Sequence, residues 1–105
     1  MSVRSEKIAA LLQGYAAEFF EEFATNKNLI TVVGCDSAPD GKSVIVWLSV
    51  HGPDKAVLET AVLRKASPLR KYFASKIKNR YVPFVTIKLD TGGEHAARVS
   101  KLTKK

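Results

Sequence analysis

The sequence predicts an α+β fold with the element order α-β-β-α-kink-α-β plus a short C-terminal helix. Three observations carry this. Apolar residues recur every three or four positions through the first 24 residues, two β-branched runs flank a Pro39-Asp40-Gly41 turn, and a Ser67-Pro68 pair interrupts a second helical pattern. At 105 residues, 46% of them hydrophobic, the chain has apolar material for one compact domain and not for two. Its ordered core is expected over about residues 5–102.

The first helix is predicted over residues 5–24, where Ile8, Leu11, Leu12, Tyr15, Phe19, Phe20 and Phe23 form one stripe. Ser5 is its expected N-cap. Glu18, Glu21 and Glu22 fall off the stripe, so the exposed side of this helix is acidic.

Residues 29–36 are rich in β-branched side chains and lead into the Pro-Asp-Gly turn, in which Pro presets φ and Gly supplies a positive φ. The second arm of the resulting hairpin covers residues 43–51. It alternates Val44, Val46, Leu48 and Val50, assigned to the core, with Ile45, Trp47, Ser49 and His51 on the opposite face.

A helical pattern resumes with Val57, Leu58, Ala61, Val62 and Lys65. Ser67 as N-cap and Pro68 as first helical residue are then expected to start a new helix after a sharp kink. This helix turns Leu69, Phe73 and Ile77 inward, with Tyr72 at the core edge. Lys71 and Lys78 lie opposite, Arg70 at the flank and Lys76 on the boundary. A third strand is predicted over residues 83–90, with Pro83 at its start and Val85, Ile87 and Leu89 on its buried face. Gly92-Gly93 turns into a last helix through Glu94, Ala96, Val99 and Leu102.

The net charge of +7 is concentrated. Residues 1–63 carry five Lys or Arg against eight Asp or Glu, and residues 81–105 carry five against two, so these regions cancel. Residues 64–80 hold seven basic side chains and no acidic one, namely Arg64, Lys65, Arg70, Lys71, Lys76, Lys78 and Arg80. Such a window is the electrostatic footprint of a polyanion partner and makes these seven the candidate phosphate contacts. Tyr81, beside Arg80 and ahead of a strand, is the candidate for stacking on an unpaired base. Lys101, Lys104 and Lys105 are explained by the dipole at a helix C-terminus.

Other classes find little support. Charged residues make up 26% of the chain and no apolar run approaches a membrane span, so no membrane partner is expected. No continuous apolar segment of a secretory signal is present, and a single cysteine forms no internal disulfide; both fit a reducing cytoplasm. Cys35 and His51 lack a third orienting residue for nucleophilic catalysis, and one Cys with two His falls short of a metal-ligand set. No catalytic residue, metal, cofactor or small-molecule substrate is therefore assigned.

In this order, Leu63-Arg64-Lys65-Ala66-Ser67-Pro68-Leu69-Arg70, Arg80-Tyr81-Val82-Pro83, Leu89-Asp90 and Glu94-His95-Ala96-Ala97-Arg98-Val99 resemble the bacterial ribosome-binding factor A family. The resemblance spans nearly the whole chain. It implies a type II K-homology-like fold, in which helices cover one face of a three-stranded mixed sheet; strand order is left open. It further implies a non-catalytic assembly factor that binds the small (30S) ribosomal subunit and its 16S rRNA in late maturation. Processing of the rRNA 5′ region and growth in the cold belong to that expectation, as does a monomer when free. The family carries an Ala-x-Gly kink between two helices, and the matching triplet here is Ala66-Ser67-Pro68. Proline in place of glycine stiffens the bend and removes one backbone N–H. Two rival classes share the composition: a K-homology module for free single-stranded nucleic acid, and a protein-interaction domain with a basic edge.

Overall fold

The computed structural model describes residues 3–77 and 81–90, with side chains from residue 7 onward. The elements follow in the order α1 (Val3–Glu21), β1 (Leu29–Ser37), β2 (Ser43–His51), α2 (Lys55–Leu63), α3 (Ala66–Lys76) and β3 (Phe84–Leu89). The last helix expected from the sequence lies outside the described residues.

β2 is the central strand. It pairs antiparallel with β1 through the hairpin turn, where Gly41 adopts φ 73° and Ala38 N–H donates to the Ser43 carbonyl at 2.9 Å. It pairs parallel with β3, with Val44 opposite Val85 and Val46 opposite Ile87. Parallel neighbours need a crossover connection, and α2 with α3 supply it. A bulge between Val32 and Gly34 changes which parity of β1 faces the helices: Ile30 and Val32 before it, Cys35 after it, opposite Val46.

The core lies between this sheet and the helices. Val44, Val46, Leu48 and Val50 meet Leu12, Ala16 and Phe20 of α1, Val62 of α2, and Leu69 and Phe73 of α3 in one buried cluster. Each fully buried Leu or Phe in it contributes about 1.5–3 kcal/mol relative to exposure. Trp47 lies on the opposite sheet face yet is only 4% exposed. Its indole N–H donates to Asp36 Oδ2 at 3.0 Å, and the Lys88 ammonium sits 5.8 Å from its ring centre.

Several local expectations are corrected. Ser5 lies within α1, which begins at Val3, and is not its N-cap. Leu11 is 48% exposed, because the buried line runs through Leu12, Ala16 and Phe20 at four-residue intervals and places Leu11 about 100° to one side. Val57, in the first turn of α2, is exposed rather than packed, and Val62 is the buried residue of that helix.

The interhelical break also falls earlier than expected. α2 ends at Leu63 and α3 already begins at Ala66, with Lys65 as its cap, so Ala66, Ser67 and Pro68 form the first turn of α3. Ser67 is not the cap and Pro68 is not the first helical residue. Proline clashes with the carbonyl four residues before it, which here belongs to Arg64, the residue at which α2 stops. In the first turn its missing N–H costs no helical bond, and the first α-type bond of α3 runs from Leu69 N–H to the Lys65 carbonyl at 2.9 Å. Pro68 thus acts on the break from inside the helix that follows it.

Candidate nucleic-acid interface

α3 carries most of the candidate site, and its packing distributes the cations around it. With Leu69 and Phe73 fully buried, Lys71 projects from the solvent side of the helix. Arg64, at the end of α2, is exposed as well.

Toward α1 the cations rest on aromatic rings. Lys65 Nζ lies 5.4 Å from the Phe23 ring centre and Lys76 Nζ lies 5.3 Å from that of Tyr72. Tyr72 itself packs against Phe19 at 5.5 Å, and its hydroxyl donates to Glu18 Oε1 at 2.9 Å. That bond to a carboxylate, reinforced by desolvation, raises the phenol above its ordinary pKa. The hydroxyl and ring of Tyr72 therefore join α3 to α1, in keeping with its expected place at the core edge.

Toward β3 the arrangement differs. Arg70 Nε donates to the Pro83 carbonyl at 3.1 Å and Nη2 to the Val82 carbonyl at 2.8 Å. Its guanidinium carbon lies 4.5 Å from the centre of the Phe84 ring. Arg70 therefore anchors the segment leading into β3 as well as carrying charge. Tyr81 and Phe84, on either side of that anchored pair, are 60% and 62% exposed. Phe84 N–H donates to the Lys42 carbonyl at 3.0 Å, which brings the hairpin turn beside this corner.

Of the eight candidate contact residues, Arg64, Lys65, Arg70, Lys71 and Lys76 thus cluster at the α2–α3 junction and along α3. Tyr81 lies at the entry to β3, and Lys78 and Arg80 lie outside the described residues. Sequence reasoning missed Phe84 and Lys42. The strand alternation held a signal for the first, since Val85, Ile87 and Leu89 on the buried face leave Phe84 on the other. No linear pattern brings Lys42 to residue 84.

Cys35 and His51 form no nucleophile and base pair. Cys35 is opposite Val46 and His51 lies five residues further along β2, roughly 16 Å away at strand spacing and on the other face. Burial, with the Asp36 charge adding to it, pushes the Cys35 thiol up to about 12. His51 instead shares a 2.8 Å hydrogen bond with the Ser49 hydroxyl at the surface.

The sequence pattern of one family, ribosome-binding factor A, matches residues 4–103. The chain belongs to the ribosome-binding factor A family. Among relatives, ribosome-binding factor A of Chlorobaculum parvum is 32% identical over 109 residues, covering 99% of this chain and 91% of its own. That of Desulforamulus reducens is 27% identical over 106 residues, covering 97% and 88%. The fold is similar to the crystal structure of ribosome-binding factor A from Thermus thermophilus, with a TM-score of 0.64 at 20% identity over 81% of this chain and 94% of that one. A homology model of the Thermus thermophilus factor, fitted into a cryo-electron microscopy map of a 30S complex with ribosome-binding factor A, matches with the same TM-score over 78% and 90%. The α-β-β-α-α-β order predicted by the sequence pattern and the mixed three-stranded sheet implied by the resemblance are both present, with β2 in the centre.

Proposed function

We propose that the protein is a non-catalytic assembly factor that binds the small ribosomal subunit and its 16S rRNA during late maturation, including processing of the rRNA 5′ region. Membership of the ribosome-binding factor A family carries this reading, and the fitting of the Thermus thermophilus factor into a 30S complex supports the choice of partner. The basic residues of the α2–α3 edge give it a mechanism. Their ammonium and guanidinium groups neutralise rRNA phosphates and release counterions, which supplies affinity without sequence reading. Selectivity then comes from the shape of folded rRNA and from bases left unpaired in it. The binding energy holds the rRNA in one conformation; no bond is made or broken by the factor. In this reading the chain is a single K-homology-like domain, monomeric when free, acting in the cytoplasm and supporting growth in the cold.

Sedimentation of a cell extract tests the proposal. Co-migration with small subunits is the expected result. Co-migration with bulk RNA or DNA would instead favour a module for free single-stranded nucleic acid, and a salt-resistant protein complex without rRNA would favour a protein-interaction domain.

A further inference from the structure

At the corner where β3 begins, an exposed aromatic ring stacks on a guanidinium fixed by backbone, and a second exposed aromatic side chain stands three residues earlier in the chain. Phe84 and Tyr81 are the large aromatics of the described residues that stay more than half exposed, and they stand three positions apart. Arg70 is held by the carbonyls of Val82 and Pro83, the two residues between Tyr81 and Phe84 in sequence, and stacks on Phe84 at 4.5 Å. Pro83 itself is buried, so the segment carrying both rings is seated on the core. The Lys42 carbonyl accepts from Phe84 N–H, bringing a further basic residue to the same corner.

We infer that Arg70, Tyr81 and Phe84 form a stacking platform for an unpaired RNA base, next to the basic edge that holds the phosphates. This deepens the proposed function and rests on it. The chemistry favours that occupant over others. An unpaired base presents a π-face that an exposed ring can stack on and that double-stranded RNA keeps covered. A guanidinium already lying on an aromatic ring adds a planar cationic surface for the same stack. Its two backbone hydrogen bonds hold it in place before binding, which lowers the conformational cost of stacking. Arg64, the cap that ends α2, and Lys71 on the solvent side of α3 are exposed cations suited to phosphates, which divides the surface into a phosphate part and a base part.

The test uses the full chain and two fluorescent RNA probes: a ten-nucleotide single strand and the same strand with abasic riboses, which keeps every phosphate. Wild-type protein is expected to bind the intact strand about fivefold or more tightly than the abasic one. Phe84→Ala should remove most of that difference and bind both strands at the abasic level, whereas Phe84→Trp, which keeps an aromatic face on the same strand position, should retain it. Circular dichroism melting of each variant checks that the fold persists. Equal binding of both strands by wild type, discrimination by Phe84→Ala as strong as the parent's, or no binding to either strand would each overturn the platform. None of these outcomes changes whether the wild-type protein sediments with small subunits, so the two readings fail separately.

Discussion

Asn28 and Asp54, 26 positions apart, exchange two hydrogen bonds: the Asn28 amide N–H₂ donates to Asp54 Oδ2 and the Asp54 backbone N–H donates to Asn28 Oδ1, each at 3.0 Å. Asn28 is 4% exposed, its backbone and amide N–H groups also donate to the Thr25 hydroxyl, and its carbonyl accepts from Thr25 N–H at 2.9 Å, so the pair ties the loop before β1 to the loop before α2. Gly52 makes the approach possible. At φ 137° it presses against this loop so closely that a Cβ would stand 2.6 Å from the Lys27 carbonyl oxygen and 2.8 Å from Asn28 Cα.

Asn28→Ala is therefore expected to cost about 1–3 kcal/mol, since it leaves the Asp54 N–H without its acceptor in a part-buried site. Gly52→Ala should destabilise as well, through clash and through a backbone conformation that an L side chain rarely adopts. Thermal unfolding followed by circular dichroism should show melting temperatures lowered by roughly 5 °C or more. Unchanged melting in both variants would remove this clasp from the account.

Cys35 should behave as an inert core-edge thiol. With its pKa pushed up to about 12, only about one part in ten thousand is thiolate at pH 8, so labelling by a thiol reagent should be slow until denaturant is added. Cys35→Ser combined with His51→Ala should leave small-subunit binding within about threefold of the parent, because neither residue belongs to the proposed docking edge. Loss of binding by a folded double variant would contradict that assignment.

Tyr72 and Cys35 both have folded-state pKa values raised above their ordinary 10.0 and 9.0, the first chiefly by its hydrogen bond to Glu18 and the second by burial. Raised values mean that the folded state holds these protons more tightly. Their contribution is thus fully present below the ordinary values and lost as pH rises through the folded ones. Tyr72→Phe removes one of the two. Urea denaturation should show parent and variant separated at pH 7 and converging as pH rises past the raised phenol value; a constant separation would indicate that the Glu18 bond plays no part.

Pro68→Ala should keep the fold while loosening the α2–α3 junction, since the variant removes the ring that clashes with the Arg64 carbonyl and adds an N–H able to bond it. A straighter or more mobile junction by NMR, with a fall in subunit affinity of about two- to fivefold, is expected. If both junction and affinity are unchanged, the turn at Arg64 and Lys65 is set by packing of the helices and Pro68 is incidental.

The fold is legible in the sequence wherever one period dominates. The alternation of β2 identifies its core face residue by residue, and Leu69, Phe73 and Ile77 identify the inner side of α3. Legibility fails where a position depends on tertiary packing. Leu11 has the spacing of a core residue but lies at the edge of a stripe only as wide as the sheet beneath it. The break before Pro68 is misplaced by sequence reasoning because proline acts on the carbonyl four residues upstream, while the sequence marks only the proline itself. Within the site, charge clustering locates the edge, but it does not separate Arg70, which bonds two carbonyls, from Lys71, which projects into solvent. Nor does it show that the Lys42 carbonyl adjoins Phe84.

The central claim is a localised docking edge, and the most direct measurement is affinity for purified small ribosomal subunits as a function of salt. It compares Arg64→Glu with Lys71→Glu in one protein against Lys27→Glu with Lys55→Glu in another, the latter pair lying before β1 and at the first residue of α2, outside the basic window, with the same change in net charge. All four side chains are exposed, so stability should hardly move. The first variant is expected to bind tenfold or more weakly, with a slope of log affinity against log salt shallower by roughly 0.7–0.9 for each phosphate no longer neutralised, and the second to stay near the parent. Equal weakening of the two variants would show general electrostatic attraction and contradict a localised edge.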